Sequence, residues 1–266
     1  MKTITHKPLK DRIMTSLFYE PSTRTSCSFQ AAMLRLGGSV ISVPVDQSSV
    51  QKGETLQDTI RTLCCYSDII VLRHPEKGAA LEAAKVSTKP ILNAGDGTGE
   101  HPSQALLDLF TIEQELGIKN LTITFMGDLT HGRTVHSLVR SLVHFPNITI
   151  LYASSFPMPP DIVEFIASHG MEQRITTLEE ALPKTDVLYV TRIQKERFTF
   201  TGTPECINAE KMKLAKKNMI VMHPLPRNEE LATDMDDDPR SVYFKQMEYG
   251  LYMRMAILEY YLMNKV

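Results

Sequence analysis

The stretch Ile13-Met14-Thr15-Ser16-Leu17-Phe18-Tyr19, followed at once by Glu20-Pro21-Ser22-Thr23-Arg24-Thr25, decides the class of fold. A short apolar run ends, and small hydroxyl residues open a segment with helical spacing. Over Thr23 to Leu36 that spacing puts Phe29, Met33 and Leu36 on one face, and Gly37-Gly38 ends it. The unit is therefore strand, polar loop, helix. It recurs along nearly the whole chain, and alternating strands and helices imply parallel sheets covered on both faces.

Outward from this stretch the sequence predicts strands at Ser39 to Val43, Ile69 to Leu72 and Ile91-Leu92. It predicts helices at Glu54 to Cys65, Ala79 to Lys85 and Pro102 to Leu116, the last facing inward through Ala105, Leu106, Leu109 and Ile112. After Gly117-Ile118-Lys119-Asn120 the rhythm restarts. Strands follow at Leu121 to Met126, Ile148 to Ala153, around Ile175, Val187 to Val190 and Met219 to Met222. Helices follow at Arg133 to Phe145, Pro160 to His169, Leu178 to Leu182 and about Tyr249 to Leu262. The expectation is two doubly wound α/β domains, 1–116 and 117–248, with a C-terminal helix over 249–266 packing back on the first. Ligands of such sheets lie at the carboxyl ends of the strands, and a cleft between two such domains is the expected site.

Composition narrows the function. With 29 Lys and Arg against 31 Asp and Glu, a formal charge of −2 excludes a polybasic nucleic-acid module. No run approaches the ~18 apolar residues of a membrane helix, and Met1 to Arg12 lacks the apolar core of a signal peptide. Cys27, Cys64, Cys65 and Cys206 form no C-x-x-C pair and no zinc spacing, so they read as reduced thiols in the cytoplasm. No metal or cofactor is implied.

The loops after the strands carry the chemistry. Ser22-Thr23-Arg24-Thr25 opens a helix, whose free N–H groups suit a phosphate; the plainer reading makes Ser22 a cap and Arg24 a surface residue. Ser48-Ser49-Val50-Gln51-Lys52-Gly53-Glu54-Thr55 is polar before a helix, and Arg73-His74-Pro75 follows a strand. Asn93 to Gln104 contains Gly95, Gly97 and Gly99, but G-x-G-x-G is not the dinucleotide fingerprint. In the same segment His101 and Gln104 share the first turn of a helix, where an imidazole can polarise a carbonyl. Gly127-Asp128-Leu129-Thr130-His131-Gly132-Arg133-Thr134 misses the P-loop pattern only because Arg133 replaces the lysine. A planar guanidinium suits a carboxylate, which disfavours an NTPase. Thr191-Arg192-Ile193-Gln194-Lys195-Glu196-Arg197 and His223-Pro224-Leu225-Pro226-Arg227 complete the set, with Leu225-Pro226 a candidate cis bond.

Arg24, Lys52, Arg73, Arg133 and Arg192 thus follow strands rather than scatter through helices. They call for polyanionic ligands, at least one phosphate and one or more carboxylates. Without a nucleophile elbow or metal cluster, direct transfer between bound substrates is the chemistry that remains.

At these residues the chain resembles the aspartate carbamoyltransferase catalytic chains. Ser22-Thr23-Arg24-Thr25 and His101-Pro102-Ser103-Gln104 match the carbamoyl-phosphate motifs of carbamoyltransferases. Lys52-Gly53-Glu54-Thr55, Gly132-Arg133-Thr134, Arg192-Ile193-Gln194 and His223-Pro224-Leu225-Pro226-Arg227 match the aspartate-specific type, where the ornithine type would carry Cys at 225. The resemblance runs from about Lys7 to Val266. Ser48 to Lys52 and Asp236 to Arg240 look closer to the eukaryotic multifunctional pyrimidine-synthesis proteins.

The resemblance implies carbamoyl transfer from carbamoyl phosphate to L-aspartate. Ser22, Thr23, Arg24, Thr25 and Arg73 would hold the phosphate. His101, Thr25 and Arg73 would meet the carbonyl oxygen and Gln104 the amino group. Arg133 would take the α-carboxylate, and Arg192, Gln194 and Lys52 the side-chain carboxylate. The backbone of Pro224 and Leu225 would meet the carbamoyl nitrogen and the amine. Ser48 and Lys52 would enter from a neighbouring subunit, making a homotrimer. Neither nucleic acid nor membrane is a partner. The family's helix before the first strand is not found, and Thr199 to Asn208 is shorter than the family's loop. A non-catalytic or impaired domain with an assembly role is therefore the alternative. A free chain, a complex with regulatory subunits and a piece of a multienzyme polypeptide all stay open.

Overall fold

The computed structural model describes residues 7–194, 202 and 205–263. Part of the Thr199 to Asn208 segment, Lys195-Glu196-Arg197 and the first residues of the basic N-terminus lie outside them. The backbone divides into two compact units. One runs to Ser103 and takes in the chain again from Glu248; the other covers Gln104–Met247.

In the first unit the order is β1 (Ile13–Phe18), α1 (Thr23–Arg35), β2 (Ser39–Pro44), α2 (Leu56–Cys64), β3 (Ile69–His74), α3 (Ala79–Val86) and β4 (Ile91–Asp96), after which α4 (Pro102–Glu115) begins. All strand pairs are parallel, in the order β2-β1-β3-β4. The edge strand β2 is largely exposed and carries serines, whereas Ile69 to Leu72 of β3 are fully buried. That contrast is what sheet position demands: a central parallel strand is covered on both faces, an edge strand is not. Phe29 and Met33 of α1 pack with Leu9, Met14, Ile69 and Val71. A second core gathers Leu17, Ile60, Ile70, Leu72 and Ala83 on the opposite face.

The second unit adds β5 (Leu121–Gly127), α5 (Arg133–Leu142), β6 (Ile148–Tyr152), α6 (Pro160–Ser168), β7 (Glu172–Ile175), α7 (Leu178–Ala181), β8 (Val187–Thr191) and β9 (Ile220–Met222). Its sheet is also parallel, in the order β7-β6-β5-β8-β9. Val135, Leu138, Val139 and Leu142 form the expected stripe of α5, all fully buried. The last helix, α8 (Tyr243–Met263), closes the chain, and its Met255 and Leu258 belong to the first unit's core.

Several boundaries depart from the sequence reading. Arg73 and His74 lie in β3 rather than after it, and β4 runs on to Asp96, past its expected end at Leu92. Polar residues extend both strands because the backbone register continues through them, with Asn93 opposite Leu72 and Asp96 opposite His74. The segment Val45 to Lys52 forms two short 3-10 turns, Val45–Gln47 and Ser49–Lys52, and Thr55 caps α2 in place of a helix start at Glu54. Leu106 is 42% exposed, and Leu107, Asp108 and Thr111 are buried in its stead. The last helix begins at Tyr243, not near Tyr249; Tyr243 and Gln246 are fully buried, and the polar Gln246 hides that turn from an apolar pattern.

One close approach fixes the second sheet. Gly127 pairs with Thr191 at the carboxyl ends of β5 and β8, at φ +102. A Cβ there would lie 1.8 Å from the Thr191 carbonyl oxygen. Only glycine fits both the backbone angle and the space. Gly127→Ala should therefore cost roughly 3 kcal/mol or more, read as a lowered midpoint in urea unfolding; an unchanged midpoint would mean the strands can separate there without cost.

Candidate functional site

The sheet order dictates where each unit can bind. In the first, the chain leaves β1 toward one edge and continues from β3 toward the other, so a crevice opens at the carboxyl ends of these two neighbours. Phe18 pairs with Arg73 there, and the Tyr19 amide donates to the Arg73 carbonyl at 2.9 Å. The Arg73 guanidinium donates from Nε to Glu20 Oε2 at 3.0 Å and from Nη1 toward Ser22 Oγ at 3.4 Å. Ser22 occupies the cap position of α1, yet its hydroxyl makes no cap hydrogen bond and lies on Arg73 instead. The plain capping role is excluded. The first turn of α1 keeps its N–H groups clear of that hydroxyl, beside buried Thr25 and exposed Thr23 and Arg24.

The glycine-rich segment proves to be a turn. Asp96 accepts from the amides of Gly78 at 3.0 Å and Glu100 at 2.7 Å, and Gly97 donates to the His74 carbonyl at 2.8 Å. A Cβ on Gly97 would meet the Pro75 carbonyl at 2.4 Å. This turn delivers His101 to the start of α4, where the imidazole is buried with Nδ1 3.4 Å from Ser103 Oγ. Burial also holds the His74 imidazole, tilted against the Tyr19 ring at a centroid distance of 4.6 Å, below the ordinary histidine range. Ser48 and Lys52 stand apart. Ser48 Oγ caps the second 3-10 turn through Val50 N, and Lys52 at its end is exposed. Among the described residues, no hydrogen bond or ion pair joins either to the Arg73 cluster.

In the second unit the reversal falls between β5 and β8, whose ends lead into Asp128 and Arg192. Asp128 is fully buried and binds both loops. It accepts from His131 N at 2.9 Å and His131 Nδ1 at 3.1 Å on one side, and from Gln194 N at 3.2 Å on the other. Gln194 Nε2 adds a bond to the His131 carbonyl at 2.7 Å. Arg133 and Arg192 are thereby mounted on two loops joined into one surface, with Arg133 buried at the first residue of α5.

The segment after β9 is held as firmly. His223 Nδ1 accepts from Leu225 N at 2.8 Å, so Nε2 carries the proton donated to Glu230 Oε1 at 2.9 Å. Burial alone would raise Glu230; the His223 and Asn228 hydrogen bonds outweigh it and hold the carboxyl below its ordinary value. The Leu225-Pro226 bond is cis, as its sequence suggests, and Leu225 has φ +54. Arg227 is locked by Asp236 through both terminal nitrogens and lies 5.5 Å over the Tyr243 ring.

Sequence reasoning singled out the cations and passed over the acids that order the loops and helices around them: Glu20, Asp108, Asp128 and Glu230. Asp108 had a readable signal, a carboxylate four residues after Gln104 on the inner face of a helix.

A scan against family models matches residues 1–114 to the carbamoyl-P binding domain of aspartate/ornithine carbamoyltransferases, and residues 119–261 to their Asp/Orn binding domain. The chain belongs to the aspartate/ornithine carbamoyltransferase family. Within this family it is similar to the multifunctional protein CAD of Squalus acanthias, at 56% identity over 94% of this chain and 12% of that protein. It therefore spans about an eighth of the multifunctional relatives it matches. It is also similar to the aspartate carbamoyltransferase catalytic subunit of Thermoplasma volcanium, at 47% identity over 97% of this chain and 89% of that one. Among solved structures, aspartate transcarbamoylase from Trypanosoma cruzi in complex with carbamoyl aspartate and phosphate matches with TM-score 0.90 and 53% identity, over 95% of this chain and 84% of that chain. The Thermoplasma volcanium relative and the Trypanosoma cruzi structure both carry aspartate in their names.

Arg227 and Tyr243 hold Asp236 at about 2, below its ordinary 3.8. A depressed carboxyl stabilises above the unfolded value and loses that contribution as pH falls through the folded one. The stability deficit of Asp236→Asn should thus be constant above about pH 5 and shrink as pH falls below about 4. Paired urea unfolding curves check this, and a deficit independent of pH would refute it.

Proposed function

We propose that this chain transfers the carbamoyl group of carbamoyl phosphate to the amine of L-aspartate, giving N-carbamoyl-L-aspartate and phosphate, an early step of de novo pyrimidine biosynthesis. The observation that carries this is the pair of cation-bearing loops at each sheet's reversal point, Ser22 with Arg73 in one unit and Arg133 with Arg192 in the other. Two relatives described above bear the name of that activity, over most of their length.

Residues 1–116 are assigned to carbamoyl phosphate and 117–248 to aspartate, with 249–266 counted to the first domain. Ser22, Thr23, Arg24, Thr25 and Arg73 hold the phosphate, with the α1 N–H groups supplying further donors. His101, Thr25 and Arg73 meet the carbamoyl oxygen. Gln104 meets the amino group, and the backbone of Pro224 and Leu225 meets the carbamoyl nitrogen and the amine. Arg133 clamps the α-carboxylate; Arg192, Gln194 and Lys52 take the side-chain carboxylate. Ser48 and Lys52 serve the site of a neighbouring copy in a homotrimer, which fits their separation from the Arg73 cluster. Four free cysteines suit a cytoplasmic protein, and the multifunctional relatives suit membership of a larger assembly.

Chemically, the neutral amine of aspartate attacks the carbamoyl carbon. Negative charge grows on the carbonyl oxygen, and His101, Thr25 and Arg73 stabilise it. The bond from carbon to the phosphate oxygen then breaks, Arg24 and Arg73 stabilise the departing phosphate, and that phosphate accepts the amine proton.

Purified protein should form carbamoyl aspartate only when both substrates are present, and sediment as a trimer. His101→Ala should lower kcat on the order of 10²-fold with a smaller change in phosphate affinity. Unchanged turnover would remove His101 from the mechanism, and product-free binding of carbamoyl phosphate would favour the non-catalytic alternative.

A further inference from the structure

The carboxylate of Asp108 is fully buried in α4, and donors from separate elements converge on it. Oδ1 accepts from Gln104 Nε2 at 2.9 Å and from Gln246 Nε2 at 2.6 Å; Oδ2 accepts from the Tyr189 hydroxyl at 2.8 Å. All belong to the second unit. A carboxylate can only accept, so both amides must turn their nitrogens toward it. Gln246 is fixed a second time, because its Oε1 accepts from His223 N at 3.0 Å. Gln104 is fixed by Asp108 alone: among the described residues, the one hydrogen bond of its carboxamide is the one to Asp108. Its nitrogen is engaged, and its oxygen is the end left for a ligand. Turning the amide over would set Oε1 against a buried carboxylate, which is repulsive.

We propose that Asp108 is a positioning residue that makes Gln104 present an acceptor, so that the site selects a carbamoyl NH2 over a group that cannot donate. This rests on the carbamoyl-transfer reading above and deepens it. The oxygen of Gln104 is complementary to the amino group of carbamoyl phosphate and has nothing to offer the methyl group of acetyl phosphate, which is otherwise alike in shape and charge. The same carboxylate reaches the His223 segment through Gln246 and, through Tyr189, the hydroxyl of Thr134 beside Arg133. Burial and the neighbouring Asp108 push the Tyr189 phenol well above its ordinary range, so it stays a donor.

The test compares kcat/KM for carbamoyl phosphate and for acetyl phosphate, with L-aspartate as acceptor, in wild type, Asp108→Asn and Tyr189→Phe. Asparagine offers one acceptor oxygen and an NH2, cannot satisfy all three donors, and releases Gln104 to turn either way. Asp108→Asn should reduce the preference for carbamoyl phosphate at least about tenfold, since a polar pair is where such discrimination arises. Tyr189→Phe removes one donor, leaves Gln104 pinned, and should keep the preference while lowering the Tm. Should Asp108→Asn not fold, Asp108→Ser, which leaves room for water, is expected to lose the preference likewise. Both rates falling together in Asp108→Asn or Asp108→Ser, with the preference intact, would reduce Asp108 to a structural residue and overturn the proposal. Wild-type protein that transfers neither group would overturn the reaction reading itself.

Discussion

The carboxylate of Asp128, fully buried, accepts hydrogen bonds from the loop after β5 and from the loop after β8. That bond set holds together the two loops that carry Arg133 and Arg192. Sheet order makes β5 and β8 neighbours at the reversal point, and Gly127 lets their ends approach where no side chain would fit. Without an internal acceptor, two polar loops leaving adjacent strands would splay toward water. Asp128 joins them, and Arg133 and Arg192 emerge from a surface of fixed shape. A buried carboxylate is tolerable only when its lone pairs are taken, and here backbone amides take them.

The first unit solves the same problem differently. Arg73 comes from the end of a central strand and is held side-on by Glu20 and Ser22. The guanidinium is thereby given one orientation by the fold. In the first unit an acid seats the cation Arg73 directly; in the second an acid joins the two loops that carry Arg133 and Arg192. The near-neutral charge of the chain is thus an average over cationic loop ends and the carboxylates that orient them. It says little about the local field.

The sequence was legible where period and punctuation agree. The stripes of α1 and α5, the apolar runs of β3 and β8 and the polar loop openings at Ser22 and Arg133 all come from side-chain alternation and caps. Legibility failed where tertiary pairing overrode local preference. Asn93 to Asp96 looks like a loop and is strand because β3 lies beside it. Leu106 looks inward and is exposed, because the inner face of α4 keeps Ala105, Leu109 and Ile112 but also buries the polar Asp108 and Thr111, which apolar spacing does not show. Gln246 hid the first turns of α8 for the same reason. The candidate loops were singled out by their cations; the acids that join and orient them were not, since a buried acid looks in sequence like any surface acid.

Titration calorimetry with phosphate, with L-aspartate and with N-(phosphonacetyl)-L-aspartate, the compound bound in one of the Trypanosoma cruzi structures, tests most directly whether this protein is built to hold a phosphate and two carboxylates together. A compound uniting these groups mimics the encounter of both substrates, and such mimics bind 10²-fold tighter or more than the separate parts. The expected result is a dissociation constant at least about 10²-fold below that of phosphate, with the heat abolished by Arg133→Ala. Binding no tighter than phosphate, or indifferent to Arg133, would contradict the account.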